Sequence, residues 1–244
     1  MRTRRAPLLA ELHSHTTWSD GDLALPQLVD LVGRRGFDVL AVTDHVVRSD
    51  DPWLDETQRL EQGVPRERHG AYLEEIAREA ARARDLYDLL VIPGLELTYN
   101  DHDPARAAHA VSIGLREFVS LDDGIDEAIR AANRLGAAIV AAHPYGREVA
   151  PLRSRLTQRW AIDDDFRALT HRFELFNRNQ LFGWVADACL PCVASGDVHV
   201  PGHLGGWKTL LPCGKDEESV LDYLRSPRPV YIARVDELAG RLAA

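Results

Sequence analysis

The chain is short of cysteine, with three in 244 residues. That excludes a disulfide framework and suits a reducing compartment. No stretch approaches the roughly 18 uninterrupted apolar residues of a membrane span. Met1-Arg2-Thr3-Arg4-Arg5 is followed by no apolar signal-peptide core, so a soluble cytoplasmic protein without a membrane partner is expected. Net positive charge is missing too. Lys and Arg total 29 against 38 Asp and Glu, a formal charge of −9, which argues against an extensive nucleic-acid-binding face. It does not argue against an anionic substrate held by metal ions, whose own charge inverts the local balance. Lysine itself is scarce and absent from every strand end before Lys208. No internal repeat, low-complexity tract or dividing linker interrupts residues 1–244, which read as one domain with no obligate protein partner evident.

Of what is present, Glu11-Leu12-His13-Ser14-His15 comes first, after the apolar run Leu8-Leu9-Ala10. If residues 8–16 are extended, His13 and His15 point the same way with Cβ atoms roughly 7 Å apart, a chelating geometry. Two buried histidines on one face would otherwise need separate partners for four ring nitrogens. Asp20 and Gly21 follow closely.

Further along, short apolar runs alternate with amphipathic stretches. Leu25–Arg35 reads as a helix, with Pro26 in its first turn and Gly36 as its stop. Phe37–Thr43 reads as a strand buried on both faces and ends in Thr43-Asp44-His45. Residues 46–65 carry Asp50, Asp51, Pro52, Gly63 and Pro65 and are expected to be an irregular excursion, a lid or binding loop. A long helix over 66–87 precedes the strand Leu89–Leu97, which delivers Glu96. A carboxylate in such apolar company costs several kcal/mol unless paired or metal-bound, so Glu96 is a strong functional candidate.

His109 opens the next strand and is preferred to His102, which sits among Asn100, Asp101 and Asp103. After a helix over 124–135, the strand 137–143 ends in His143-Pro144, and Pro144 forbids its continuation. Helix is expected over 156–170 and 180–190, and strand over 173–177 and 192–199, the last bringing Asp197 and His199. Lys208–Pro212 and Val230–Arg234 read as late strands around a helix over 216–225. Cys189 and Cys192 have C-x-x-C spacing, but one closes a helix and the other starts a strand, so they are read as packing residues. Strands that alternate with helices and end in histidine or acid point to a closed or nearly closed β/α barrel with its site at the strand carboxyl ends.

His13-Ser14-His15, Ser19-Asp20-Gly21, Thr43-Asp44-His45, Gly94-Leu95-Glu96, Ala142-His143-Pro144 and Ser195-Gly196-Asp197-Val198-His199 resemble the ordered motifs of the PHP (polymerase and histidinol phosphatase) family. The resemblance runs from about Glu11 to Gly206 and implies a distorted (β/α)7 barrel similar to the metal-dependent amidohydrolases. It implies that His13, His15, Glu96 and Asp197 hold one metal, that Glu96 bridges to a second held by His109 and His143, and that Asp20, His45 and His199 hold a third. Two or three divalent ions, zinc, manganese or iron, suit such imidazole and carboxylate donors.

The implied reaction is phosphoester hydrolysis by a metal-bridging hydroxide, on a small phosphate monoester or a nucleotide. Arg147, Arg178 and Lys208 are candidates to grip phosphate and His203 to protonate the leaving group, while Trp18 and Trp53 could stack on a ring or simply pack. Two other readings stay open: C–N or ester hydrolysis as in amidohydrolases, against which the scarcity of a bridging lysine counts, and a non-catalytic metal-binding scaffold.

Overall fold

The computed structural model describes residues 6–145 and 157–235. Strand β1 (Leu8–Glu11) leads through extended residues 12–15 to helix α1 (Leu25–Arg34). Leu28, Val29 and Val32 form the buried stripe of α1, and Pro26 occupies its first turn. Strand β2 (Val39–Val42) is buried on both faces, as its unbroken apolar run predicts. The 46–65 stretch is more ordered than expected. It begins within β3 (His45–Val47) and contains α2 (Glu56–Glu61). Asp55 accepts from Gln58 N in a capping box, which stabilises so short a helix.

Helix α3 (His69–Tyr87) crosses back to β4 (Leu90–Tyr99), which is followed by β5 (Ala108–Ile113), α4 (Ile125–Arg134) and β6 (Ala138–Ala141). The described part of the helix expected over 156–170 is two single turns, α5 (Arg159–Ile162) and α6 (Asp164–Arg167), the second capped by Asp163. After β7 (Arg172–Asn177) the chain turns directly into β8 (Gln180–Leu181), so the helix expected from Gln180 starts only with α7 (Gly183–Asp187). Strands β9 (Cys192–Ser195) and β10 (Gly206–Leu211), helix α8 (Glu217–Arg225) and β11 (Tyr231–Val235) complete the described chain.

The sheet runs β11-β10-β1-β2-β4-β5-β6-β7-β8, with β3 added on β4 and β9 on β7. The segments that follow β1 and β9 meet through a parallel bridge between Ser14 and Val198. The result is a mixed α/β fold whose sheet curls into a half-barrel. It is not a regular alternation of seven β/α units. No helix separates β4 from β5, and β5 runs antiparallel to both its neighbours. Reversal of β5 brings its first residues to the end where its neighbours have their carboxyl ends.

Side-chain alternation along β2 divides the core in two. Val39 and Ala41 belong to an inner cluster with Ala10, Leu12, Ile92 and Val111. Leu40 and Val42 pack outward with Leu28, Val32, Tyr72 and Ile76. Each fully buried Leu, Val or Ile contributes about 1.5–3 kcal/mol. Helix α8 supplies Val220, Tyr223 and Leu224 to the inner cluster, stopping the end of the curl away from the strand carboxyl ends. The buried Arg172 guanidinium donates to the carbonyls of Tyr223, Leu224, Ser226 and Arg228 and so satisfies the exit of α8. No helix among the described residues is long and apolar enough to cross a membrane.

Candidate metal centre

Each functional side chain stands at the same end of the sheet for a local reason. His13 and His15 flank the Ser14–Val198 bridge and share a face. Asp20 returns in a turn closed by the Ser19 and Gly21 amides donating to Thr16 O. A Cβ on Gly21 would come 2.5 Å from His15 O, so this turn requires glycine. Asp44 fastens the same turn, its buried carboxylate accepting from Thr16 N and Ser19 Oγ at 2.7 Å each. His45 begins β3 opposite Glu96 of β4, and His109 lies near the start of the reversed β5. His143 follows β6 with a left-handed φ of 28°, and Asp197 follows β9 with φ 44°.

With His199, two residues after Asp197, eight of these residues make nine that converge in three clusters: His13, His15 and Asp197; Glu96, His109 and His143; and His15, Asp20, His45 and His199. Within each, the candidate ligand atoms lie within 4.8 Å of one another. Glu96 links the clusters. Its Oε2 lies 3.2 Å from His13 Nε2 and 3.4 Å from His15 Nε2, and its Oε1 lies 3.3 Å from both His109 Nδ1 and His143 Nε2. Asp20 Oδ1 is 3.2 Å from His199 Nε2 and 3.4 Å from His45 Nε2.

His13 Nε2, both nitrogens of His15, His109 Nδ1 and both oxygens of Glu96 are buried without a hydrogen-bond partner. An unsatisfied buried polar atom costs about 1–3 kcal/mol, so six in adjoining clusters favour a ligand among them. Imidazole nitrogens and carboxylate oxygens aimed at common points, with no thiolate, fit borderline or harder divalent cations.

The electrostatics agree. Burial works against charge on His13 and His45, yet the carboxylates of Asp197, Glu96 and Glu174 around the first, and of Glu96 and Asp20 around the second, raise both well above the usual imidazole range. His199 is held up to about 9 against its burial by Asp197 and Asp20. Burial and the neighbouring His45 and His199 push His15 down to about 3. Although burial opposes it, the surrounding imidazoles hold Glu96 and Asp197 well below the ordinary carboxylate range. Charge-balanced in this way, the centre binds protons where cations fit.

The candidate ligands are held from behind. His45 Nδ1 lies 2.6 Å from Thr98 Oγ1, and His109 Nε2 lies 3.1 Å from Asn100 Oδ1. Asn100 Nδ2 then donates to Asp51, which accepts from Trp53 N and Leu54 N and so ties the 46–65 segment to a ligand. Glu174 and Asn177 of β7 lie behind the centre as well, with Glu174 Oε1 2.9 Å from His13 Nδ1. Sequence reasoning passed over Glu174, although a carboxylate between Phe173 and Leu175 carries the same signal as Glu96.

The other candidates divide. Arg178, in a left-handed conformation with φ 56°, reaches Asp197 Oδ2 at 3.1 Å and lines the pocket. Lys208 does not. It is fully buried, 3.0 Å from Glu11 Oε2, and donates to the carbonyls of His203 and Gly205, so it cannot meet a substrate. Arg147 lies outside the described residues. His203 is half-buried, and its Nδ1 accepts from His199 N. His102 is exposed and accepts from Trp53 Nε1, whereas His109 joins Glu96 and His143. Trp18 packs edge-on against Tyr72 and donates to Glu75. Cys189 follows α7, Cys192 opens β9, and both are free thiols.

A cavity of about 390 Å³ opens over the centre, lined by His45, His109, His143, Asp197 and His199 below and by Tyr145, Asn177, Arg178 and Gln180 at the side. A larger one of about 670 Å³, between α3, β4 and the start of α8, has an apolar floor and none of the nine residues.

Fold and clusters together define an α/β protein with three groups of candidate metal ligands gathered at one end of the sheet. The PHP domain family matches residues 11–157, more than half of the chain, and the chain belongs to that family. Among solved structures, it is similar to a two-domain protein from Bacteroides vulgatus ATCC 8482 containing a predicted PHP-like metal-dependent phosphoesterase, at 18% identity and TM-score 0.61 over 96% of this chain and 69% of that one. It is also similar to an amidohydrolase from Chromobacterium violaceum with bound sulfate and no metal, at 17% identity and TM-score 0.54 over 92% and 97%. At these identities the likeness shows the fold alone. Comparison with curated proteins gives no match.

Proposed function

We propose that the chain is a phosphoesterase that hydrolyses a small phosphate monoester or a nucleotide at a trinuclear centre. Membership of the PHP family and the three donor clusters support a metal-dependent hydrolase. The observation that carries the finer reading is the set of orphaned buried atoms on His13, His15, Glu96 and His109 beneath a pocket walled by Arg178. His13, His15, Glu96 and Asp197 would hold one ion, Glu96, His109 and His143 a second, and Asp20, His45 and His199 a third. Zinc, manganese or iron bound there would supply Lewis acidity and acidify water near neutral pH.

The chain's own residues do the rest. Glu96 keeps the first two donor sets at a fixed spacing, because each of its oxygens faces a different set. Arg178 offers a planar fork to phosphate oxygens. Tyr145 and Gln180 border the space for the leaving group, and a volume of about 390 Å³ admits a small monoester or a mononucleotide. His203, beside His199, is the candidate leaving-group acid.

The amidohydrolase reading is less well supported. Both lysines are committed elsewhere, Lys208 to Glu11 and Lys215 to Asp38 and Asp88, which leaves none to bridge ions as a carbamate. A single-domain, cytoplasmic enzyme without membrane, protein or extended nucleic-acid partners completes the proposal, and three free thiols are consistent with it. Phosphate release from a panel of monoesters and nucleotides by the metal-loaded protein, against ammonia or acid release from matched amides and carboxylic esters, tests it. Phosphate release is expected, and amide or carboxylic ester turnover alone would overturn it.

A further inference from the structure

We propose that Glu174 is a positioning residue that selects the metal-binding tautomer of His13 and fixes the backbone at His143, an inference that rests on the metal reading above. Its carboxylate is fully buried on β7 and receives four donors, one from its own strand and three from three other segments. Oε1 accepts from His13 Nδ1 at 2.9 Å and from Ser195 Oγ. Oε2 accepts from the His143 backbone N at 2.6 Å and from Asn177 Nδ2 at 2.8 Å. Each donor belongs to the centre or adjoins it: two are on candidate ligands, Ser195 is two residues before Asp197, and Asn177 lines the pocket beside Arg178.

A carboxylate can only accept, so the group facing it must donate. The neutral ring that a cation needs therefore keeps its proton on Nδ1, which leaves the lone pair on Nε2, the atom 3.2 Å from Glu96 and 3.6 Å from Asp197. That is the orphaned atom a cation would occupy. The second oxygen acts on the backbone. His143 has a φ of 28°, which costs a non-glycine residue free energy, and the bond from its N–H to Oε2 secures that conformation. One side chain thus sets ligands of two different clusters, in the manner of the carboxylates that orient metal-bound imidazoles.

Glu174→Gln separates this role from mere filling of space. The amide has one accepting and one donating end. The His143 N–H cannot turn round, so the carbonyl goes to it and the NH2 faces His13. His13 Nδ1 must then accept, and its proton moves to Nε2, where it blocks the cation. Long-range 15N imidazole correlations on the Zn²⁺-loaded protein read the tautomer, and Co²⁺ titration followed by its visible d–d bands reads affinity.

In the wild type His13 is expected as the Nδ1–H form. In Glu174→Gln the tautomer is expected to invert and Co²⁺ affinity to fall about 10- to 100-fold. Ser195→Ala, which removes one donor and leaves the carboxylate, is expected to keep the wild-type tautomer. Wild-type affinity and an unchanged tautomer in a folded Glu174→Gln protein would overturn the role of Glu174 and leave the metal reading standing. A wild-type chain that takes up neither Zn²⁺ nor Co²⁺ would overturn both. If Glu174→Gln does not fold, an Nε2–H His13 in the loaded wild type is by itself enough to reject the proposal, and an Nδ1–H form supports it.

Discussion

Lys208 Nζ and Glu11 Oε2 lie 3.0 Å apart with neither side chain reaching solvent. The pair also braces the turn that carries Asp197 and His199. Glu11 Oε1 accepts from Gly196 N at 2.8 Å, and Lys208 donates to the carbonyls of His203 and Gly205. A Cβ on Gly196 would come 2.5 Å from Glu11 Oε2 and 2.6 Å from Lys208 Nζ, so this turn packs directly on the ion pair. Breaking a buried pair by removing one partner costs about 3–5 kcal/mol, because the other charge is stranded. Lys208→Met is therefore expected to lower the unfolding free energy by about that much. Glu11→Gln with Lys208→Met, which retains an acceptor for Gly196 N, is expected to lose substantially less. Denaturant unfolding of the metal-free proteins measures both, and additive losses would refute the coupling.

The misplacement of Lys208 shows where the sequence stops informing. A cation at the start of a late apolar strand looks the same whether it faces a pocket or a core. What decides is that β10 pairs antiparallel with β1, Ala10 opposite Thr209, a long-range register that local pattern does not encode. Most of the nine candidate donors were legible because they stand at or near the end of an apolar run, where an unpaired polar group is expensive, whereas Asp20 was carried by the resemblance of its motif. His109 was preferred for opening such a run, and its convergence with Glu96 and His143 comes from the reversal of β5. Periodicity has no direction, so that reversal and the break in β/α alternation were invisible, while Gln180 was drawn into a helix because a two-residue strand is shorter than any period. Glu174 was legible on the Glu96 argument, since it too interrupts an apolar strand.

Removal of a central ligand is expected to act on metal content and on turnover together. His13→Ala and Glu96→Ala each take away an atom that faces more than one donor of the centre. Both variants are expected to lose bound metal by elemental analysis and to lower phosphate release by about 10²- to 10³-fold or more, the scale of losing one preorganised electrostatic stabiliser. Wild-type rates in either variant would remove the mechanism.

The dependence of stability on pH is expected to have opposite signs with and without metal. In the metal-free chain His13 and His45 are raised well above their unfolded value, and His199 is raised to about 9, by neighbouring carboxylates. A raised pKa stabilises the fold fully below the unfolded value of about 6.5, and the contribution is lost as pH climbs through the folded value. His15 and His109, which are lowered, work in the opposite direction, but by pH 6.5 most of their effect is already spent, so they offset only a small part of the loss. In the loaded protein the ion competes with those protons, so affinity and stability rise with pH. Melting temperatures at pH 6.5 and 9 are expected to fall for chelator-treated protein and to rise for protein with saturating Zn²⁺. Parallel slopes would mean that protons and cations do not share these sites.

Arg178 tests whether the pocket wall grips an anion. Its Nη2 lies 3.1 Å from Asp197 Oδ2, and it is the one arginine or lysine that lines the cavity among the described residues. A group that holds phosphate equally in the ground and transition states raises KM when removed, whereas one that acts only on the developing charge lowers kcat. Arg178→Met is expected to raise KM for a phosphate monoester at least about tenfold, the equivalent of about 1.4 kcal/mol, with metal content unchanged. Arg178→Lys is expected to recover little of this, because an ammonium cannot span two phosphate oxygens as a planar fork does. Loss of metal in Arg178→Met would instead assign the side chain to holding Asp197 in place. Steady-state kinetics read beside elemental analysis separates the two roles.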